Sequence, residues 1–436
     1  MEEGILDRAG TGLHYVEWNP GATAEPTVLF LHGLSSNARF WQRVAERIPG
    51  RRLVALDQRA HGASSAPDHG YLPQTLAGDA AWVIGTLGLG RVVVVGHSWG
   101  ASIALELAAD FPDLVAGLVV VDGPIRPWSE RGLTWEQAAT FMQPPLPTYR
   151  GLEEAVAEKR RLLKTAWGDD LTDFVRAGLV ADGGQGDGAL RLPLTVSIRR
   201  QILHAMFFQP YDLQWGQVAC PVLIAMAESE APFVDFKRSS AGFVSQQVKG
   251  TAVHWFATGH DIPLEDPAGI AADIERTCLR AGLADITKSI VDAVEVSSGL
   301  SNPVGWSEGE PGQAWTAKDL LAHLSSTQAA LPAVMASASQ APPDAGPVSP
   351  RFDPNRWNVS QVGRRREVAV DDLLAELVDS ATALDAVLCE LAIAAPVTIG
   401  TFAGEPAPIA MRLMLEHQRG HLVELRSALS PDGISA

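Results

Sequence analysis

The chain has 436 residues, 46% of them apolar and 19% charged, and a formal net charge of −17. That length exceeds what one hydrophobic core usually serves, so two domains are expected. The negative charge is spread over both halves and argues against nucleic acid and anionic membrane as partners, and says little else.

Three cysteines, Cys220, Cys278 and Cys389, are far apart and odd in number. They form no disulfide framework and suit a reducing compartment. The first residues, MEEGILDRAGTGLHYVEW, are acidic and hold no apolar run of signal-peptide length. No stretch reaches the ~18 apolar residues of a membrane span. The expectation is a cytoplasmic protein, for which a homodimer is permitted.

In chain order, Thr27–Leu31 (TVLFL) predicts a buried strand, followed by a helical stretch around residues 40–48 and a second strand at Leu53–Leu56. Val92–Val95 predicts a third strand, which runs directly into Gly96-His-Ser-Trp-Gly100 and then a helical pattern over Ala101–Ala109. Further strands are predicted at Gly117–Val121, Val222–Met226 and within Gln247–Phe256. Apolar runs separated by helices imply a parallel sheet covered on both faces. Between about residues 124 and 215 that rhythm is lost, which predicts a helical lid inserted after a strand. The aromatic residues Trp128, Trp135, Phe207, Phe208 and Trp215 are candidate linings of a pocket under it.

The Gly-x-Ser-x-Gly between strand and helix is the signature of a nucleophile elbow, with Ser98 lifted clear of the sheet. A serine hydroxyl needs a base within hydrogen-bond reach, and that base needs an orienting carboxylate. His260, in ATGHDIPLEDP just past the last predicted strand, is the expected base. His254 falls within the strand and is expected to be packed; His97, beside Ser98, is expected to point elsewhere. Glu228 and Glu230 follow one strand and Asp122 follows another, so all three are candidate acids, with Glu230 ranked first and Asp122 second. The oxyanion needs fixed backbone donors. Trp99, after the nucleophile, supplies one, and Leu34, in His32-Gly33-Leu34, supplies the other.

From about residue 285 the pattern becomes helical: Asp285–Leu300, Ala317–Ala336, Asp371–Ala394 and Ala407–Leu429. Arg280–Asp285 reads as a short break, and ASQAPPDAGPVSPRFDP as a Pro-rich one. Four such helices predict a bundle. His417 and His421 sit four residues apart on the last helix, and so on one face. His323 lies on the second. Three neutral imidazoles with open positions suit Zn²⁺, Ni²⁺ or Fe²⁺.

Four ordered motifs make residues 1–280 resemble the α/β-hydrolase family: LHG (Leu31–Gly33), DQRAHGASS (Asp57–Ser65), GHSWG (Gly96–Gly100) and GHDIPLEDP (Gly259–Pro267). The resemblance implies a doubly wound, mostly parallel sheet with a helical lid and a triad of Ser98, Glu230 and His260. The family usually places Gly-x-x-Asp after the sixth core strand; here Ala227-Glu-Ser-Glu230 stands there, so the acid stays open. Arg59 in the DQRAHG turn is expected to be structural. Residues 285–436 resemble the DinB-like, mycothiol-dependent maleylpyruvate isomerase-type bundles, through Trp315 with AKDLLAHL, FDPNRWN (Phe352–Asn358) and the His417/His421 pair. That family uses one histidine of the second helix and an HxxxH pair of the fourth, which implies His323, His417 and His421 as metal ligands.

The leading expectation is a serine hydrolase acting on a small ester, amide, lactone or related carbonyl compound. A bifunctional protein with a metal- and thiol-dependent isomerase or transferase in the bundle is one alternative. A hydrolase-fold receptor with little turnover is the other.

Overall fold

The computed structural model describes residues 1–143, 145–182, 188–228, 234–295, 297, 303–304, 315–340, 353–391, 393, 397, 403 and 405–429. The chain divides into two compact units, Met1–Cys278 and Leu279–Ala436.

The first unit is built on an eight-stranded sheet. Its opening strands are β1 (Glu2–Arg8), β2 (Thr11–Trp18) and β3 (Ala24–Leu31). A short helix α1 (Gln42–Ala45) leads to β4 (Arg51–Leu56), and α2 (Pro73–Thr86) to β5 (Val92–His97). Helix α3 (Trp99–Asp110) and β6 (Val115–Val121) follow. The spatial order is β1-β2-β4-β3-β5-β6, continued by two later strands. Strand β2 pairs antiparallel with both β1 and β4, and every other pairing is parallel. Strands β5 and β6 are apolar runs buried along their whole length. That is the pattern of strands covered on both faces.

The segment after β6 holds α4 (Trp135–Met142), β7 (Thr148–Tyr149), α5 (Leu152–Leu163), α6 (Thr172–Ala177), β8 (Val180–Ala181), β9 (Leu190–Arg191), α7 (Val196–Phe207) and α8 (Tyr211–Trp215). Strands β7, β9 and β8 form a small separate sheet. Thr134 caps α4 in a reciprocal capping box with Gln137, and the Thr195 hydroxyl accepts from the Ile198 amide to start α7. The main sheet resumes with β10 (Val222–Ala227), α9 (Val234–Gln247), β11 (Ala252–Phe256) and α10 (Ile262–Glu265).

Register aligns the strand ends. Leu31 is opposite Gly96, His97 opposite Val121, Val121 opposite Ala225 and Ala227 opposite Phe256. The loops after β3, β5, β6, β10 and β11 therefore leave one edge of the sheet, where α/β folds bind ligands.

Helix α11 (Pro267–Glu295) is continuous through Arg280–Asp285, so the break expected there is a correction. A Cβ on Gly282 would lie 3.0 Å from Leu415 Cδ1, so this glycine serves packing. The second unit continues with a two-strand ribbon, β12 (Pro303–Val304) and β13 (Trp315–Thr316), then α12 (Ala317–Gln340), α13 (Pro354–Arg365), α14 (Val370–Cys389) and α15 (Ala407–Leu429). Helix α13 was not anticipated. Asp353 accepts from the Arg356 amide and Pro354 takes the first turn, so this proline starts a helix instead of breaking one. Phe352 of the FDPNRWN motif lies outside the described residues. The apolar core of the unit joins α11, α12, α14 and α15 through residues such as Ile290, Leu321, Leu384 and Met411. No helix among the described residues is long and apolar enough to cross a membrane.

Candidate active site and metal centre

Ser98 turns β5 into α3 with φ +52° and ψ −122°, a backbone conformation that only a tightly held corner retains. Its amide donates to Val121 O at 2.9 Å, which ties the corner to β6. A Cβ on Gly100 would collide with the carbonyl oxygen of Leu31, so glycine lets α3 close onto the end of β3. A Cβ on Gly33 would sit 3.1 Å from Ser98 Cβ. The backbone of His32-Gly33-Leu34 thus passes beside Ser98, opposite the helix start that carries Trp99.

His260 lies in the loop after β11, its side chain 42% exposed. Its Nδ1–H donates to Asp122 Oδ2 at 2.7 Å. The acid against the histidine is therefore Asp122, ranked second from sequence. Glu230, ranked first, lies outside the described residues, and Glu228 is exposed at the end of β10. Asp122 follows β6 with φ +43°, and its Oδ1 accepts from the Ala227 amide at 3.0 Å. Lys237 of α9 donates to both carboxylate oxygens, at 2.7 and 3.0 Å. Burial alone would raise the Asp122 carboxyl. The hydrogen bonds and charges of His260 and Lys237 outweigh it and hold the group below its ordinary value.

Two histidines gain roles that their sequence positions did not signal. His97 was expected to point away from the site. Its Nε2–H instead donates to the His260 carbonyl oxygen at 2.9 Å, and its ring stands 4.8 Å from the His260 ring. Burial, with His260 beside it, pushes His97 down to about 4, so it is a neutral strut for the His260 loop. His61 accepts the Ser35 amide on Nε2 at 3.0 Å and packs its ring 5.1 Å from Trp99. It thereby braces both backbone segments expected to form the oxyanion hole. Burial pushes His61 down to about 3 and keeps Nε2 an acceptor.

Other candidates fall elsewhere. His254 pairs with Asp273 at 2.7 Å, and Arg59 makes a two-bond ion pair with Asp79. Trp215 is 1% exposed and donates to Ile125 O, so it belongs to the core. Phe208 is 59% exposed, and Trp135 packs against His204, Phe207 and Phe208.

In the second unit, His323 of α12 meets His417 and His421 of α15. The Nε2 atoms of His323 and His421 lie 3.3 and 3.2 Å from His417 Nε2. A tetrahedral ion with metal–nitrogen bonds of ~2.0–2.1 Å spaces its ligands roughly 3.3 Å apart, so the donor set fits a divalent metal. His421 Nδ1–H donates to Glu424 at 2.9 Å, which fixes the ring and turns Nε2 inward. Burial, with His421 and His417 alongside, pushes His323 down to about 3 and keeps it a neutral ligand. Beside the histidines runs a buried polar layer. Gln418 donates to Gln328 Oε1 at 3.3 Å, Thr287 to the same oxygen at 3.5 Å, and Gln328 to Leu377 O at 2.6 Å and to Ser380 at 3.5 Å.

The sheet order, the elbow and the loops at one edge define an α/β-hydrolase fold, and the other unit a helical bundle with a three-histidine cluster. Residues 26–161 match the family model of the alpha/beta hydrolase fold, and residues 295–425 match that of the mycothiol maleylpyruvate isomerase N-terminal domain. The chain carries one domain of each kind. It is similar to the 2-(acetamidomethylene)succinate hydrolase of Mesorhizobium japonicum, with 41% identity over 98 residues, 22% of this chain and 35% of that protein. It therefore spans about a third of that relative's length. It is also similar to Lipase LipV of Mycobacterium tuberculosis, with 29% identity over 278 residues, 60% of this chain and 96% of that protein. A crystal structure of E-2-(acetamidomethylene)succinate hydrolase shares the fold, with TM-score 0.53 and 23% identity over 63% of this chain and 98% of that one.

Proposed function

We propose that the first unit is a serine hydrolase cleaving a small ester, amide, lactone or related carbonyl compound. The observation that carries this reading is the His260 Nδ1–Asp122 hydrogen bond, at the sheet edge from which the strained Ser98 emerges. Asp122 holds His260 with Nδ1 protonated, which leaves Nε2 to take the Ser98 proton as Oγ attacks the carbonyl. The amides of Leu34 and Trp99 stabilise the oxyanion. His260 then returns the proton to the leaving group, and water, activated by the same ring, releases the acyl group. A fluorophosphonate probe tests this: wild type is labelled at Ser98 and Ser98→Ala is not. Absence of labelling in folded wild type refutes the reading and favours a receptor.

His323, His417 and His421 would hold one divalent ion, Zn²⁺, Ni²⁺ or Fe²⁺, which supplies Lewis-acid polarisation of a bound group. The protein contributes three imidazole nitrogens and the Glu424 carboxylate that orients His421. This cluster, taken with the match of residues 295–425 to the mycothiol maleylpyruvate isomerase N-terminal domain, favours a second activity in the same chain, a metal- and thiol-dependent isomerisation or transfer. Elemental analysis of protein purified without a metal-affinity tag checks the site: near one equivalent in wild type, and near none in His417→Ala. Metal-free wild type that gains no stability from added Zn²⁺, Ni²⁺ or Fe²⁺ refutes it.

A further inference from the structure

On α9 the residues facing the protein interior are Lys237, Ser240, Ala241 and Val244, the spacing of one helical face. Lysine is the exception among them. Its side chain is 9% exposed, and its ammonium group reaches Asp122 Oδ1 at 2.7 Å, Oδ2 at 3.0 Å and Ala227 O at 3.3 Å. A buried ion pair of this kind is often no more stable than well-packed apolar side chains of the same volume. Packing alone thus gives no reason for a cation on this face. Its position does: it shares the Asp122 carboxylate with His260.

We propose that Lys237 is a positioning residue of the Ser98 site, whose ammonium group locks the Asp122 carboxylate onto His260 and offsets its charge, so that His260 stays neutral and able to accept a proton at lower pH. The proposal rests on the serine-hydrolase reading of the first unit. With the Ala227 amide and the His260 ring, Lys237 leaves Asp122 no free rotamer. An uncompensated carboxylate would favour the protonated imidazole, which cannot act as base; a carboxylate neutralised by a cation favours it less. The other groups around His260 leave this charge in place. His97 on β5 is kept neutral by burial. Asp261, next in the loop, stands 3.9 Å from His97 and is 37% exposed, so water screens it. Glu228 at the end of β10 is exposed.

The test measures fluorophosphonate labelling of the full chain from pH 4.5 to 9, together with NMR titration of the His260 imidazole in ¹³C-histidine-labelled protein. Lys237→Met removes charge and hydrogen bond, Lys237→Gln removes the charge and keeps a donor, and Lys237→Arg keeps both. The expected result is an acidic limb moved up by about one pH unit in the Met and Gln variants, matched by the His260 midpoint, with the limb unmoved in Arg. A limb and midpoint unmoved in Lys237→Gln overturn the proposal, as does an equal shift in Lys237→Arg. If Lys237→Met does not fold, the Gln and Arg variants carry the comparison. If wild type is never labelled, the hydrolase reading fails. The NMR midpoint in Lys237→Gln then still decides whether Lys237 governs the protonation of His260.

Discussion

Replacing Asp122 with asparagine keeps the outline of the side chain and removes its charge. In the proposed reaction His260 becomes an imidazolium, and its Nδ1–H bond to Asp122, 2.7 Å in the resting site, is then charge-assisted. Such a bond contributes about 1.5–3 kcal/mol. An amide can also donate to Nδ1 and hold the ring in the wrong tautomer. Together these amount to about 4 kcal/mol, or a loss of roughly 10³-fold in the rate of Ser98 labelling. The same change strands Lys237, whose counter-ion is gone, and breaking a buried pair costs about 3–5 kcal/mol of stability. The assay is therefore the labelling rate of the folded fraction, with unfolding followed by circular dichroism, and Glu230→Gln is run beside it. If Asp122→Asn labels within tenfold of wild type while Glu230→Gln loses 10³-fold, the acid is Glu230 and the reasoning fails.

Gly33→Ala places a methyl group 3.0 Å from His97 Nδ1 and 3.1 Å from Ser98 Cβ, so labelling should fall roughly 10–100-fold with little change in melting temperature; unchanged labelling would separate this loop from the site. Glu106, buried on α3 against Gln214 of α8, is pushed up to about 7 by burial, with Asp110 adding to the rise. Its contribution is thus intact below its unfolded value and lost as pH rises through 7. Glu106→Gln should raise the melting temperature at pH 8.5 and leave it unchanged near pH 4.5, and an equal change at both would contradict the burial argument. Arg280, 1% exposed, is held by Asp385 at 2.8 and 3.0 Å. Asp385→Ala should cost about 3 kcal/mol in urea unfolding of the helical unit, and a loss under 1 kcal/mol would show that water replaces the carboxylate.

The Ser98 corner and the His260 loop were legible because their signals are local. Four valines, a glycine-flanked serine and a helical pattern are enough to place Ser98, and a histidine just after the last strand places His260. The acid was harder. Asp122, Glu228 and Glu230 all follow strands, and choosing among them depends on which loop bends toward His260. The visible clue was Asp122-Gly123, where the missing Cβ lets the loop after β6 lie against Ala101 and Ser98 O. The roles of His97 and His61 depend on partners 163 and 26 residues away, which no local pattern records. In the helical unit, glycine and proline were read as breakers. Gly282 is a contact point and Pro354 a helix start, and only their neighbours distinguish those uses.

The amide layer beside the three histidines works as an indexing pin for their cluster. Gln328 lies five residues after His323 on α12, and Gln418 follows His417 on α15, both fully buried. Sliding α15 along α12 by one turn, about 5.4 Å, would pull the Gln418 amide off Gln328 Oε1 and leave it in the apolar core without that partner, while Gln328 stays tied to Leu377 and Ser380 of α14. The same slip would carry His417 and His421 beyond reach of His323. A layer of neutral side chains thus disfavours the registers in which the three histidines cannot meet.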